Sequence, residues 1–222
     1  MTDRHDGLLA IWSTIDPEVE TDYLHWLTRE HVFERVGVPG FRSGRVFRRR
    51  ESRPSEYLML YELDDASVMS SDGYLSRLND PTPWTQRVMP RLMRFRRGGG
   101  TVNIEGGQRG GHGSHVAIAR FEGALPEQFA GSAARDRVDT LASLDWIVKV
   151  RLMSVQTDST AISTKEKSMR RGQEGAFSGL VVIEALDYAS LDDAITEINH
   201  SLATEDIAFE LYDQVFACHS QA

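Results

Sequence analysis

Short apolar runs alternate with amphipathic stretches along the first half of the chain. The opening run, LLAIW at 8–12, is typical of a buried strand. Asp16, Pro17 and Glu18 follow as an N-cap, a proline in the first turn and an acid, so a helix is predicted to begin there. The remaining segments extend this pattern to strand, helix, strand, strand, helix and strand, at 8–12, 16–36, 41–50, 57–63, 64–78 and 92–104.

The second half repeats the same order of elements. Its predicted segments lie at 115–119, 126–142, 146–155, 180–186, 190–202 and 207–217. The stretch LDDAS at 63–67 recurs as LDYAS at 186–190, an offset of 123 residues, whereas the opening strands align at an offset of 107. The difference of 16 residues predicts a long hairpin loop at 156–175.

A glycine-rich stretch separates the two halves. We therefore expect a first unit at 1–105, a linker at 106–113 and a second unit at 114–222. The order β-α-β-β-α-β leaves one face of each antiparallel sheet without a helical cover. The predicted fold class is α+β, with two tandem ferredoxin-like units whose sheets pack into an α/β barrel.

Composition and charge narrow the partners and the compartment. The 222 residues carry a net charge of -8 and a single cysteine, Cys218. The negative net charge disfavours nucleic acid as a partner, even though six arginines lie on the hairpin at 42–53. The single cysteine excludes an internal disulfide. The chain has no apolar run long enough for a membrane span and no apolar signal segment, so we expect a cytoplasmic protein that binds no membrane.

Two motifs resemble the dimeric α/β-barrel superfamily, and most closely its EthD-like, tandem-repeat members. They are WLTREH at 26–31 and the VPGF break at 38–41. The resemblance covers most of residues 8–97 and implies a site at a helix histidine. Relatives in this superfamily include cyclases, isomerases, cofactor-free oxygenases and heme enzymes. In the second half Val138 stands where His31 stands in the first, so we expect one site per chain.

His31 is the leading catalytic candidate. An imidazole at the edge of the apolar stripe can exchange a proton near neutral pH. Glu34 lies one turn on and could orient it, while Tyr23 or Tyr61 would be the hydroxyl partner. The structural alternative is a boundary histidine that hydrogen-bonds the Pro-Gly turn.

Aromatic and cationic residues supply the expected binding groups. Trp26, Trp84 and Phe41 would wall an apolar pocket, and Arg87 would hold a carboxylate or phenolate. The structural alternative is that Trp84 plugs the end of the barrel. The histidine spacings do not favour a metal site.

These residues predict an enzyme for a small organic substrate, an aromatic or unsaturated carboxylated or phenolic metabolite. Its chemistry would be cofactor-independent proton transfer of lyase, isomerase or cyclase type. The alternative is a non-catalytic accessory protein that binds a ligand or heme, with His200 as the position to test. We expect a monomeric pseudo-dimer or a homodimer.

Overall fold

A computed structural model describes residues 6–158, 162–170, 175–200 and 207–221. The chain divides into two compact units that are discontinuous in sequence. The first comprises Met1–Thr101, Gln156–Ala176 and Val215–Ala222, and the second comprises Val102–Val155 and Phe177–Gln214. This division differs from the predicted halves because the segment at 156–176 packs with the first unit and because the last strand of each repeat runs through both units. The residues predicted as a linker include the end of one of these strands, which continues to Gly107.

The α+β class is confirmed. The strands are β1 (Gly7–Ile15), β2 (Phe41–Arg49), β3 (Glu56–Leu63), β4 (Leu92–Gly107), β5 (His115–Phe121), β6 (Ile147–Val155), β7 (Gly179–Ala185) and β8 (Glu210–His219). The α-helices of the described residues are α1 (Glu20–Trp26), α2 (Val32–Val36), α3 (Asp72–Asn79), α4 (Pro83–Val88), α5 (Ala133–Ala142), α6 (Lys165–Met169) and α7 (Tyr188–His200). Hydrogen-bonded neighbours follow the closed strand order β1-β3-β2-β8-β5-β7-β6-β4, as the predicted barrel requires.

In the first unit, β1 lies between two antiparallel neighbours. Leu9 pairs with Tyr61 of β3 on one side and with Gly99 of β4 on the other. All nine residues of β1 are buried, which explains why its sequence is a continuous apolar run rather than an alternating one. The register between β2 and β3 shifts after Phe41, where the chain leaves the Pro-Gly turn.

The second unit has its own apolar core. Val181 and Ile183 of β7 pack with Val138 of α5 and with Leu191 and Ile198 of α7. The helix predicted at 126–142 is shorter in the structure, with a separate 3₁₀ turn at Glu127–Phe129 before α5 begins. The helix predicted at 64–78 is divided in the same way: a 3₁₀ turn at Ala66–Ser70 precedes α3.

None of the helices in the described parts of the chain combines the length and the apolar character that a membrane crossing needs.

Candidate functional site

The first unit encloses a cavity beneath its first helical segment. Its volume is about 30 Å³. Six apolar side chains form much of its wall: Ile11, Met59, Leu78, Met89, Leu92 and Phe95. Polar groups from α1, the turn at 27–31, α2, α3, β1, β4 and the segment at 162–170 complete the lining.

A π-helical turn, Leu27–His31, joins α1 to α2. The Val32 N–H donates to the Leu27 carbonyl, five residues back. In a regular α-helix, residues five apart are rotated by about 140° from each other, but the wider π turn brings them closer to the same face. The imidazole of His31 consequently stacks on the indole of Trp26, with 4.1 Å between ring centroids. The sequence contains no pattern that predicted this turn.

Trp26 is held in place by a hydrogen bond that its indole donates to α4. Its indole Nε1 donates to the hydroxyl of Thr85 at 3.0 Å, and both side chains are buried. Thr85 in turn lies in the first turn of α4, whose N-cap is Thr82. The tryptophan that covers His31 is therefore fixed by packing and by a specific polar contact.

His31 is buried and lines the cavity. Within the described residues, its Nδ1 has no hydrogen-bond partner. Burial holds the pKa of His31 well below its usual range, and the charges of Arg35 and Arg170 lower it further. The ring is consequently neutral at neutral pH and able to accept a proton.

The two candidate tyrosines occupy different surroundings. The hydroxyl of Tyr23 hydrogen-bonds the hydroxyl of Ser13, and both residues line the cavity. Burial raises the pKa of Tyr23, so its phenol stays protonated. Tyr61 packs edge-on against Phe41, 5.7 Å away between centroids, and is not among the lining residues.

Basic side chains dominate the charged lining of the cavity. Arg35, Arg97, Lys167 and Arg170 contribute positive groups, and Glu166 is the one acidic residue among the described lining residues. Glu166 pairs with Arg35 in a buried ion pair, with side-chain exposures of 5% and 3%. The positive charge of the cavity favours an anionic ligand, even though the chain as a whole carries a net negative charge.

The predicted anion anchor, Arg87, does not reach the cavity. Its guanidinium pairs with Asp22 at 3.2 Å, and its side chain is 59% exposed. Trp84 donates from its Nε1 to the same carboxylate at 3.0 Å, and Arg87 lies over its ring. The two residues form a surface cluster with Asp22 because α4 places them on the face that meets α1.

The structure brings together three of the predicted site residues, His31, Tyr23 and Trp26. The other five do not line the cavity: Tyr61, Glu34, Phe41, Trp84 and Arg87. Glu34 is a half-buried side chain whose pKa is raised chiefly by burial.

Sequence reasoning missed Ser13, Arg35, Arg97, Glu166 and Arg170. Arg35 offered a signal, because it follows His31 by four residues and thus shares its helix face. The others come from β1, β4 and the segment at 162–170, and no local pattern links them.

Val138, which the sequence offset of 107 residues pairs with His31, is fully buried in the core of the second unit. His200 is exposed in the last turn of α7.

No protein family profile matches the chain, and no curated protein matches it. Solved structures do resemble it. An anthrone oxidase-like protein matches with a TM-score of 0.62 and 15% identity, over 100% of this chain and 95% of that one. A monooxygenase-like protein from Fusobacterium nucleatum matches with a TM-score of 0.60 and 12% identity, over 99% and 96% of the two chains.

A variant of chlorite dismutase from Candidatus Nitrospira defluvii also matches, with a TM-score of 0.52 and 10% identity over 94% of this chain and 91% of that one. These neighbours have the ferredoxin-like α/β-barrel fold, which confirms the fold predicted from the sequence. At such identities the likeness shows the fold alone.

Proposed function

We propose that this protein is a small-molecule enzyme in which His31 takes a proton from an aromatic or unsaturated organic acid. The observation that carries the proposal is a buried, neutral imidazole with an unpartnered Nδ1 at a cavity lined by cationic side chains. Buried titratable groups with shifted pKa values concentrate at functional sites. The resemblance of residues 26–31 and 38–41 to EthD-like proteins supports the same choice of histidine.

The charge balance of the cavity favours an anionic substrate. Once His31 is protonated, its positive charge lies near those of Arg35 and Arg170, which already lower its pKa. A carboxylate or phenolate bound among these groups offsets that repulsion and raises the basicity of the imidazole. Proton transfer to His31 is therefore easiest when the anion is present.

Tyr23 supplies a protonated hydroxyl to the same cavity. Its phenol can donate a hydrogen bond to an oxygen on which negative charge develops as the substrate loses its proton. Trp26 and the apolar wall provide a surface suited to an aromatic ring. These groups support chemistry of lyase, isomerase or cyclase type.

The names of the structural neighbours suggest a second candidate function, that of an oxygenase. Two of them are described as anthrone oxidase-like and monooxygenase-like. A substrate carbanion formed by proton loss to His31 can be reprotonated, or it can react with dioxygen. Oxygen consumption separates these two outcomes.

The test is deuterium exchange from D₂O into a panel of aromatic carboxylic acids and phenols with acidic C–H groups, followed by NMR. His31→Gln should reduce exchange by about a hundredfold or more. His25→Gln is the matched control, because His25 lies in α1 but does not line the cavity. Exchange that is equal in the wild type and in His31→Gln would reject the proposal.

The groups around His31 do not fit a heme. Trp26 covers the imidazole. The pKa of His31 is lowered by burial and then by the charges of Arg35 and Arg170, and the same two positive charges disfavour coordination to a cationic iron. We expect no Soret shift on titration with hemin. A shift that persists in His31→Gln would indicate a heme site elsewhere in the chain and favour the accessory role.

A further inference from the structure

The cavity at His31 is too small for the substrate class proposed above. Sites for small organic ligands usually enclose about 300–1,000 Å³, whereas this cavity encloses about 30 Å³, room for one or two water molecules. If the proposed function is correct, one wall must move before an aromatic acid can enter.

The wall formed by residues 162–170, called the strap here, carries no strand of the barrel. It contains α6, a helix of five residues capped by Thr164. The Lys165 N–H donates to the side-chain oxygen of Asn79 at 3.1 Å, and Glu166 pairs with Arg35. Arg170 lies over the ring of Phe95, and Met169 packs against the core. The opposite wall includes β1, which is hydrogen-bonded to strands on both sides. Unlike the wall at β1, the strap can move without breaking a sheet.

The strap presents to Arg35 the same chemical group that the expected ligand carries, a carboxylate. Glu166 places a carboxylate on Arg35 at the edge of the cavity. Among the described side chains, Arg35 has no other acidic partner within salt-bridge distance. If the strap left with nothing in its place, a buried guanidinium would lose its counter-ion, which is strongly unfavourable. A substrate carboxylate can fill the same position.

We propose that Glu166 is a built-in competitor of the substrate: its carboxylate holds Arg35 while the strap is closed, and an aromatic carboxylate replaces it when the strap opens. The strap thus closes the site until it is displaced, and it selects for ligands that carry a carboxylate. A neutral aromatic ligand gains nothing from the exchange.

Benzoate serves as the probe, with binding measured by calorimetry and by quenching of tryptophan fluorescence. Glu166→Gln should tighten benzoate binding about tenfold, because benzoate no longer has to displace a carboxylate from Arg35. Benzyl alcohol should show a much smaller gain. Glu18→Gln, the same change of charge at an exposed position, should leave both affinities unchanged.

A reversible cross-link tests the strap without altering the ion pair. Asn79→Cys and Lys165→Cys lie at the contact between α3 and the strap, and Cys218→Ser removes the remaining thiol. The oxidised protein should bind benzoate at least tenfold more weakly than the reduced protein. This comparison stays valid even if Glu166→Gln disturbs local folding.

Two results would overturn the inference: equal benzoate affinity in Glu166→Gln and the wild type, or unchanged binding after cross-linking. Either result leaves the proton-transfer proposal intact if His31-dependent exchange persists. The converse outcome is that the wild type shows no His31-dependent deuterium exchange while Glu166→Gln binds benzoate more tightly. That result would reject the proton-transfer proposal and support the competition at Arg35.

Discussion

Acidification should destabilise the variant His31→Gln less than it destabilises the wild type. In the folded chain the pKa of His31 is held well below the 6.5 of an ordinary histidine. The unfolded chain therefore binds this proton at a higher pH than the folded chain does. Stability contributed by the neutral ring is complete above pH 6.5 and is lost as the pH falls below it.

The size of the effect follows from proton linkage. A single proton taken up only by the unfolded state lowers the free energy of unfolding by about 1.4 kcal/mol per pH unit. Between pH 7.5 and pH 5, the loss from His31 amounts to about 2 kcal/mol, provided the folded ring stays neutral. For a chain of this length, that corresponds to about 4–8 °C in melting temperature.

The assay is urea unfolding followed by circular dichroism, at pH 7.5 and at pH 5, for the wild type, His31→Gln and His25→Gln. Other titrating groups act in all three proteins, so the comparison between them isolates His31. The pH-dependent loss should be about 2 kcal/mol smaller in His31→Gln than in the wild type and in the control. An equal loss in all three would refute the reasoning, because it would mean that His31 ionises in the folded protein as readily as in water.

Two further predictions concern packing and ligand recognition. Gly44→Ala should lower the free energy of unfolding by about 1–3 kcal/mol, because the added Cβ would lie 2.8 Å from Val32 Cγ1. The control Gly123→Ala should change the free energy of unfolding by less than about 0.5 kcal/mol, because no atom lies within 4 Å of its added Cβ. Equal urea midpoints for the two variants would contradict this prediction. Arg97→Ala should weaken benzoate binding about tenfold by calorimetry because Arg97 lines the cavity. Arg87→Ala should leave that affinity unchanged because its guanidinium pairs with Asp22 outside the cavity, and a matching loss in both variants would contradict the assignment.

The helix that carries His31 shows how far local patterns reach. The proline in its first turn and the Pro-Gly break at its end predicted both ends, and the helical segment does extend to Val36. The π turn within it was not predicted, because widening one turn depends on how the flanking residues pack against the sheet. That turn decides which side chain meets Trp26 and thus the surroundings of His31.

The fold could be predicted because its determinants are local or periodic. Buried strands appear as apolar runs, caps and breakers mark the helix ends, and the repeat of six elements indicated two ferredoxin-like units. The choice of His31, Tyr23 and Trp26 used the same local information together with a resemblance, and all three line one cavity.

The electrostatics of the site depend on contacts that no local pattern contains. Arg35 and Glu166 are 131 residues apart in sequence, yet they form a buried ion pair at the cavity. Arg87, which looked equally suitable in sequence, is neutralised by Asp22 on the surface instead. The sequence alone therefore determined the order of the elements and the position of the central histidine, because hydrophobic periodicity and capping act over a few residues. Only the tertiary structure decided which charges surround that histidine, because charge pairing in the interior depends on which distant segments the fold brings into contact.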